Sequence, residues 1–161
     1  MPGIENELSA LFPRTTTSPE ETRNVGEACA GHLAAGSVIA LVGSLGAGKT
    51  QFVKGLARGF GINPNDVSSP TFSIVHEYGD DGSFVHMDLY RLNSESEVAD
   101  LGFEEYIESG SVIVVEWPQV ARELFPSDTL SLSFSHLGGD KRVIELLSKP
   151  SRTTVPDPSN S

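Results

Sequence analysis

Cationic residues are scarce in this chain: 11 Lys and Arg stand against 22 Asp and Glu, a formal net charge of -11. Proteins that hold nucleic acid by themselves usually carry a basic face, because phosphate neutralisation supplies much of the affinity. No basic cluster occurs here, so independent nucleic-acid binding is disfavoured, while an acidic surface suits docking on a basic partner. Cysteine is scarcer still. The one cysteine, Cys29, excludes an internal disulfide and any cysteine-based metal cluster. Its place in the pattern Val25, Cys29, Leu33 predicts a buried helix position. No apolar run reaches transmembrane length and no signal-peptide pattern is present, so the expectation is a cytoplasmic protein with no membrane partner. At 161 residues the chain suits one domain with one core.

What the chain does have is concentrated in eight residues. Gly43, Ser44, Leu45, Gly46, Ala47, Gly48, Lys49 and Thr50 read G-x-x-x-x-G-K-T. They follow the apolar run Val38 to Val42 and precede the helix-forming segment Phe52 to Arg58. A phosphate-binding loop needs that context of buried strand, glycine-rich turn and helix N-terminus. The glycines let the backbone curl so that successive N–H groups point at phosphate oxygens. Lys49 would bring a point charge to the β- and γ-phosphates, and the Thr50 hydroxyl would ligate Mg²⁺. The expected ATP-binding stretch is Gly43 through Thr50 together with the next position, Gln51.

The remaining pattern predicts an α/β fold: a P-loop NTPase-like three-layer sandwich around a mixed, centrally parallel sheet with an antiparallel hairpin. Residues 18–147 form the expected ATPase domain, between a flexible arm over 1–17 and a disordered Ser/Pro/Thr-rich tail over 148–161. Ser18-Pro19-Glu20-Glu21 is a helix start, with Ser18 as N-cap and Glu21 completing a capping box. Leu33 and Gly36 are expected to close that helix, and the helix behind the phosphate loop to end near Gly59 to Gly61. Residues 72–78 and 83–88, around a Gly/Asp turn, predict the hairpin. Ser94 to Leu101 and Phe103 to Ile107 predict two short helices. The continuous apolar run Val112 to Val115 predicts a central strand covered on both faces, and residues 130–134 and 143–147 predict two late strands.

A triphosphate site needs an acid on the metal side, and in open α/β sheets it comes from a strand end. Asp88 and Glu116 both stand at such ends. Spacing does not decide which of them holds Mg²⁺ and which orients the attacking water. Thr71, after Pro70, lies in a loop that could bring a hydroxyl to the γ-phosphate. No N-K-x-D segment for reading guanine occurs, which favours adenine. His76 and His86 fall on neighbouring strands of the expected hairpin, and two histidines without a third ligand read as hairpin residues rather than a metal site. Trp117, held by Pro118 next to Glu116, reads equally as core packing or as a lid by the nucleotide.

Taken jointly, GSLGAGKT over 43–50, SPTF over 69–72, HMDLYRL over 86–92 and EWP over 116–118 closely resemble the TsaE (formerly YjeE) family of bacterial ATPases. That family serves tRNA threonylcarbamoyladenosine (t6A) synthesis. The resemblance spans roughly residues 18–147. It implies ATP hydrolysis acting on the TsaD–TsaB pair, which carries out the threonylcarbamoyl transfer, so that tRNA is met only indirectly. By matching positions it implies Thr50 and Glu116 as Mg²⁺ ligands, Lys49 as the phosphate lysine, Asp88 as a catalytic or switch acid, and a functional Trp117. Met87, where an aromatic residue is common, and Gln51, where Thr is frequent, depart from the pattern. Two other classes compete on the residues alone. A kinase would carry an arginine-rich lid, and these arginines are not clustered; a non-hydrolysing binding module would not need both Asp88 and Glu116. Arg91 is the in-chain candidate for an arginine finger, with Glu104 or Glu105 as alternative ion-pair partners.

Overall fold

Short apolar runs, continuous over 38–42 and 112–115 and alternating over 130–134, assemble with their edge strands into a seven-stranded mixed sheet. The computed structural model describes residues 8–43, 48–67, 74–79 and 83–148. In chain order the elements are β1 (Arg14–Thr16), α1 (Pro19–Ala30), β2 (Val38–Gly43), α2 (Lys49–Gly59), β3 (Val75–Tyr78) and β4 (Phe84–Asp88). Then come α3 (Glu95–Ala99), α4 (Phe103–Glu108), β5 (Val112–Glu116), β6 (Leu130–Gly138) and β7 (Lys141–Ser148). Short 3-10 turns occupy Pro64–Asp66 and Pro118–Leu124. The strand order is β1-β7-β6-β2-β5-β4-β3. The centre, β6-β2-β5-β4, is parallel, and the flanking pairs β1–β7, β6–β7 and β3–β4 are antiparallel.

Each central strand sends alternate residues to opposite faces, and each face has its own core. Ile39, Leu41, Phe84, Val112, Val114, Leu130, Leu132 and Phe134 pack under Val25 and Cys29 of α1 and Phe52, Val53 and Leu56 of α2. Val38, Val85, Met87, Ile113 and Val115 pack on the other face with Val98 of α3 and Phe103 of α4. This is why Val112 to Val115 reads as unbroken apolar sequence: both faces are covered, and burying each such side chain contributes roughly 1.5–3 kcal/mol. In β6, Leu130, Leu132 and Phe134 are buried while Ser131 and Ser133 between them are only partly covered, which gives that strand its alternation.

The two helices of the first face approach very closely. A Cβ on Gly55 would overlap the Arg23 carbonyl, and one on Gly26 would overlap the Phe52 carbonyl, so glycine sets the interhelical distance. Arg23 bridges the pair by donating to Gln51 on α2 and Glu20 on its own helix, and Arg58 of α2 donates to Glu27 and Asn24. Ser18 caps α1 by accepting from the Glu21 N–H at 3.1 Å, as expected. The Glu21 carboxylate accepts from the N–H and hydroxyl of Thr17 rather than from Ser18, shifting the reciprocal half of the cap by one residue.

Three sequence expectations are corrected. Residues 8–17 do not form a loose arm: Leu8 and Phe12 are 4% and 8% exposed in the core, and Arg14–Thr16 adds an antiparallel strand to β7. That pairing is made by backbone, so three residues carry no periodicity that would announce it. The first helix ends at Ala30, not at Leu33, because the His32 and Leu33 N–H groups turn back three residues to Cys29 and Ala30. Gly36 has the left-handed φ of 81° but sits in the turn leading into β2. Finally, β7 extends through Ser148, the first residue of the expected tail. Residues 1–7 and 149–161, from the expected arm and tail, lie outside the described residues.

Candidate nucleotide-binding site

The strand β2 stops at Gly43 and the helix α2 starts at Lys49, so the glycine-rich segment joins a strand end to a helix N-terminus as its sequence demands. Ser44, Leu45, Gly46 and Ala47 lie outside the described residues, but both ends of the segment are in view. Gly48 precedes the helix with φ 104°, a conformation that side-chain-bearing residues rarely adopt. No side chain caps α2, and its first turn holds no acid. The other described helices begin with Glu20 and Glu21, Glu95 and Glu97, or Glu104 and Glu105. Among the α-helices given above, α2 is thus the one whose positive end has no carboxylate in its first turn, which suits an anionic ligand.

Lys49 is only 4% exposed although it carries a charge. Its Nζ donates to the Gly43 carbonyl at 2.6 Å, lies 3.8 Å from Glu116 Oε1, and sits 4.3 Å from the Trp117 ring centroid. Burial pulls the lysine below its ordinary pKa, and the carboxylates of Glu116 and Asp88 oppose that shift. Trp117 holds φ 59° and ψ 57°, a left-handed conformation unusual for a bulky residue. That turn sets it beside both Lys49 and the exposed Tyr90, whose tilted ring has its centroid 5.0 Å away. Strain of this kind costs on the order of 1–3 kcal/mol and concentrates at functional sites.

The two expected acids are register partners on neighbouring parallel strands, and Glu116 is also paired to Leu41 of β2. The alternation that places Phe84 and Val114 on the α1/α2 face places Asp88 and Glu116 there too. Glu116 is 4% exposed; its Oε2 accepts from His86 Nε2 at 2.6 Å. Asp88 is half-buried, and its Oδ1 accepts the Tyr90 N–H at 3.0 Å. Burial raises its carboxyl above the usual Asp range, with the nearby Glu116 charge adding to the shift and the Tyr90 N–H opposing it.

A cleft of about 270 Å³ opens beside Gly48, Lys49, Thr50 and Glu116, lined also by Ser18, Thr22, Asp140 and Arg142. Lys49, Thr50, Gln51 and Glu116 therefore share one cavity. Gln51 also turns its Oε1 to Arg23, giving it a bridging role between the helices. Arg91 is exposed, and Thr71 lies outside the described residues. His76 and His86 are indeed cross-strand partners, but His76 Nδ1 meets Tyr78 Oη at 3.3 Å while His86 turns to Glu116. The contact of His86 with Glu116 escaped the sequence reading. Its one signal was the even spacing of His86 and Asp88, which puts both on the face of Glu116. The oxygen donors lining the cleft, the hydroxyls of Ser18, Thr22 and Thr50 and the carboxylates of Glu116 and Asp140, are of the hard type that Mg²⁺ takes. Among the described residues no three His, Cys, Asp or Glu side chains cluster as a metal centre, so such an ion would draw most ligands from nucleotide and water.

A parallel central sheet whose strand feeds a glycine-rich turn and helix, with acids at the ends of adjacent strands, defines a P-loop NTPase-like fold. The family model described as "Threonylcarbamoyl adenosine biosynthesis protein TsaE" matches residues 16–144, and the chain belongs to that family. It is 43% identical over 130 residues to the tRNA threonylcarbamoyladenosine biosynthesis protein TsaE of Bacillus subtilis, covering 80% of each chain. The namesake protein of Treponema pallidum is 38% identical over 127 residues, covering 79% of this chain and 93% of its relative. A crystal structure of Bacillus subtilis YdiB superposes with a TM-score of 0.68 at 36% identity, covering 84% of this chain and 83% of that one. Among the described residues no helix is long and apolar enough to cross a membrane.

Proposed function

We propose that this chain is a partner-dependent ATPase of tRNA N6-threonylcarbamoyladenosine synthesis. It binds ATP with Mg²⁺ in the cleft at the head of α2, hydrolyses it, and thereby acts on the TsaD–TsaB pair. The observation that carries this reading is the buried Lys49 at an uncapped helix start, facing Glu116 across 3.8 Å. A desolvated cation over free backbone N–H groups is a seat for β- and γ-phosphates. The family membership directs that seat to threonylcarbamoyladenosine synthesis.

In this reading Lys49 leaves the Gly43 carbonyl for the phosphates and stabilises the charge that develops as the γ-phosphoryl departs. Thr50 and Glu116 hold Mg²⁺, which when bound neutralises phosphate oxygens. Asp88, one strand further out, orients the water that attacks the γ-phosphorus. Trp117 covers Lys49 and limits solvent around it, with Tyr90 against the indole. Turnover by the chain alone is low, because Arg91, the in-chain candidate for an arginine finger, is exposed. The pair TsaD–TsaB completes the site, and tRNA is met only through it, in keeping with the net charge of -11.

The test is phosphate release from ATP by the purified protein, alone and with TsaD and TsaB of the same source. Stimulation by the pair, lost in Lys49→Ala, is the expected result. Turnover unchanged by the pair would remove the partner-dependent part of the proposal.

A further inference from the structure

His86 is fully buried, 0% exposed, in the middle of β4, where an apolar residue would pack at lower cost. Its Nε2–H donates to Glu116 Oε2 at 2.6 Å, and its Nδ1 has no hydrogen-bond partner among the described residues. A buried polar atom without a partner costs stability, so the ring is poorly explained as a packing element. What it does is divide the Glu116 carboxylate: Oε2 is tied inward to His86, which leaves Oε1 on the side of Lys49, 3.8 Å away. The strand register makes this possible. His86 and Asp88 lie two apart on one face of β4, opposite Val114 and Glu116 of β5, so the imidazole reaches diagonally under the acid.

We propose that His86 is a positioning residue, whose hydrogen bond to one oxygen of Glu116 aims the other at Lys49 and at the metal of a bound nucleotide. This rests on the nucleotide-site reading above. A carboxylate anchored by one oxygen has fewer rotamers to lose when it ligates, and such supporting bonds typically govern metal affinity on the order of 10–100-fold. Glu116 also lies beside Trp117, the only tryptophan of the chain, so fluorescence can follow the site without relying on turnover.

The experiment compares the full-length protein with His86→Phe, His86→Gln and His86→Asn. Mg²⁺ is titrated against a non-hydrolysable ATP analogue with Trp117 fluorescence as readout, alongside analogue binding in EDTA and a melting curve. In His86→Phe the Mg²⁺ needed for half-response should rise on the order of tenfold, while affinity in EDTA stays within about twofold because the phosphate contacts are untouched. The Gln amide can place an N–H where Nε2 was, whereas the Asn amide falls short, so Gln should recover most of the loss and Asn little. Wild-type Mg²⁺ titration in a folded His86→Phe protein overturns the proposal. If His86→Phe does not fold, indistinguishable Gln and Asn variants overturn it instead. A wild-type protein without any Mg²⁺-dependent response would bring down the nucleotide-site reading itself, and this inference with it.

Discussion

The ends of β4 and β5 make an instructive pair. Each closes a buried strand with an acid, the acids are register partners, and both face the α1/α2 side of the sheet. Their surroundings nevertheless differ. Glu116 sits next to β2, the strand that leads into the glycine-rich segment, and so has Lys49 on one oxygen and His86 on the other. Asp88 is one strand further out and half-buried; among the described residues its hydrogen bond is with the Tyr90 N–H, and Lys49 and Glu116 reach it only through their charge. Strand order, rather than residue type, separates the two carboxylates: one is built into a charged cluster, the other is left with room to move. The former arrangement suits a metal ligand and the latter a group that handles water.

The strongest test of the cluster removes the cation that both acids share. Lys49→Ala should lower partner-stimulated ATP hydrolysis on the order of 10²-fold or more, and calorimetric titration should show nucleotide binding lost as well. Hydrolysis at the wild-type rate would sink the assignment of the cleft.

Next in size is the contrast between the acids. Asp88→Asn should reduce turnover by about 10²-fold or more, the usual weight of a group that handles a proton or a water. Analogue affinity should change little, because no phosphate contact is removed. Glu116→Gln should instead raise the Mg²⁺ requirement on the order of tenfold, with a smaller loss of turnover at saturating Mg²⁺. Two variants with the same profile in both assays would break the division of roles drawn from strand order.

Much of this was legible in the sequence, for local reasons. The G-x-x-x-x-G-K-T segment, the apolar run 112–115 and the alternation from Leu130 to Phe134 each carry their period or motif within a few residues. The two acids could be placed at strand ends for the same reason. What escaped depended on contacts remote in sequence. β1 exists only because Arg14–Thr16 finds the edge of β7, with Thr15 opposite Val143. The bond of His86 to Glu116 joins residues 30 apart, and His76, paired in register, drew attention to the wrong neighbour. The early end of α1 turned on two N–H groups folding back three residues, a choice that Gly36, six positions beyond the helix end, did not announce. Spacing alone did not separate Glu116 from Asp88, because that separation lies in the strand order; only the family resemblance assigned them different roles.

The smallest expected effect concerns stability without ligand, and it sharpens the same contrast. Burial raises the Asp88 carboxyl in the folded chain above its ordinary value of 3.8. Protonation therefore favours the folded state: between pH 3.8 and the raised value the native protein binds more protons than the unfolded one. The slope of unfolding free energy with pH is negative in that window, so this group takes stability away as pH rises through it, and the loss is complete above the raised value. At neutral pH, in EDTA and without nucleotide, Asp88→Asn should consequently melt slightly higher than wild type. The difference should shrink on acidification and vanish as the pH falls below 3.8. Melting curves across that range check the sign. A variant that melts lower than wild type at neutral pH would mean that the attraction of Lys49 for the Asp88 charge outweighs the cost of its burial, and the freedom assigned to the end of β4 would have to be withdrawn.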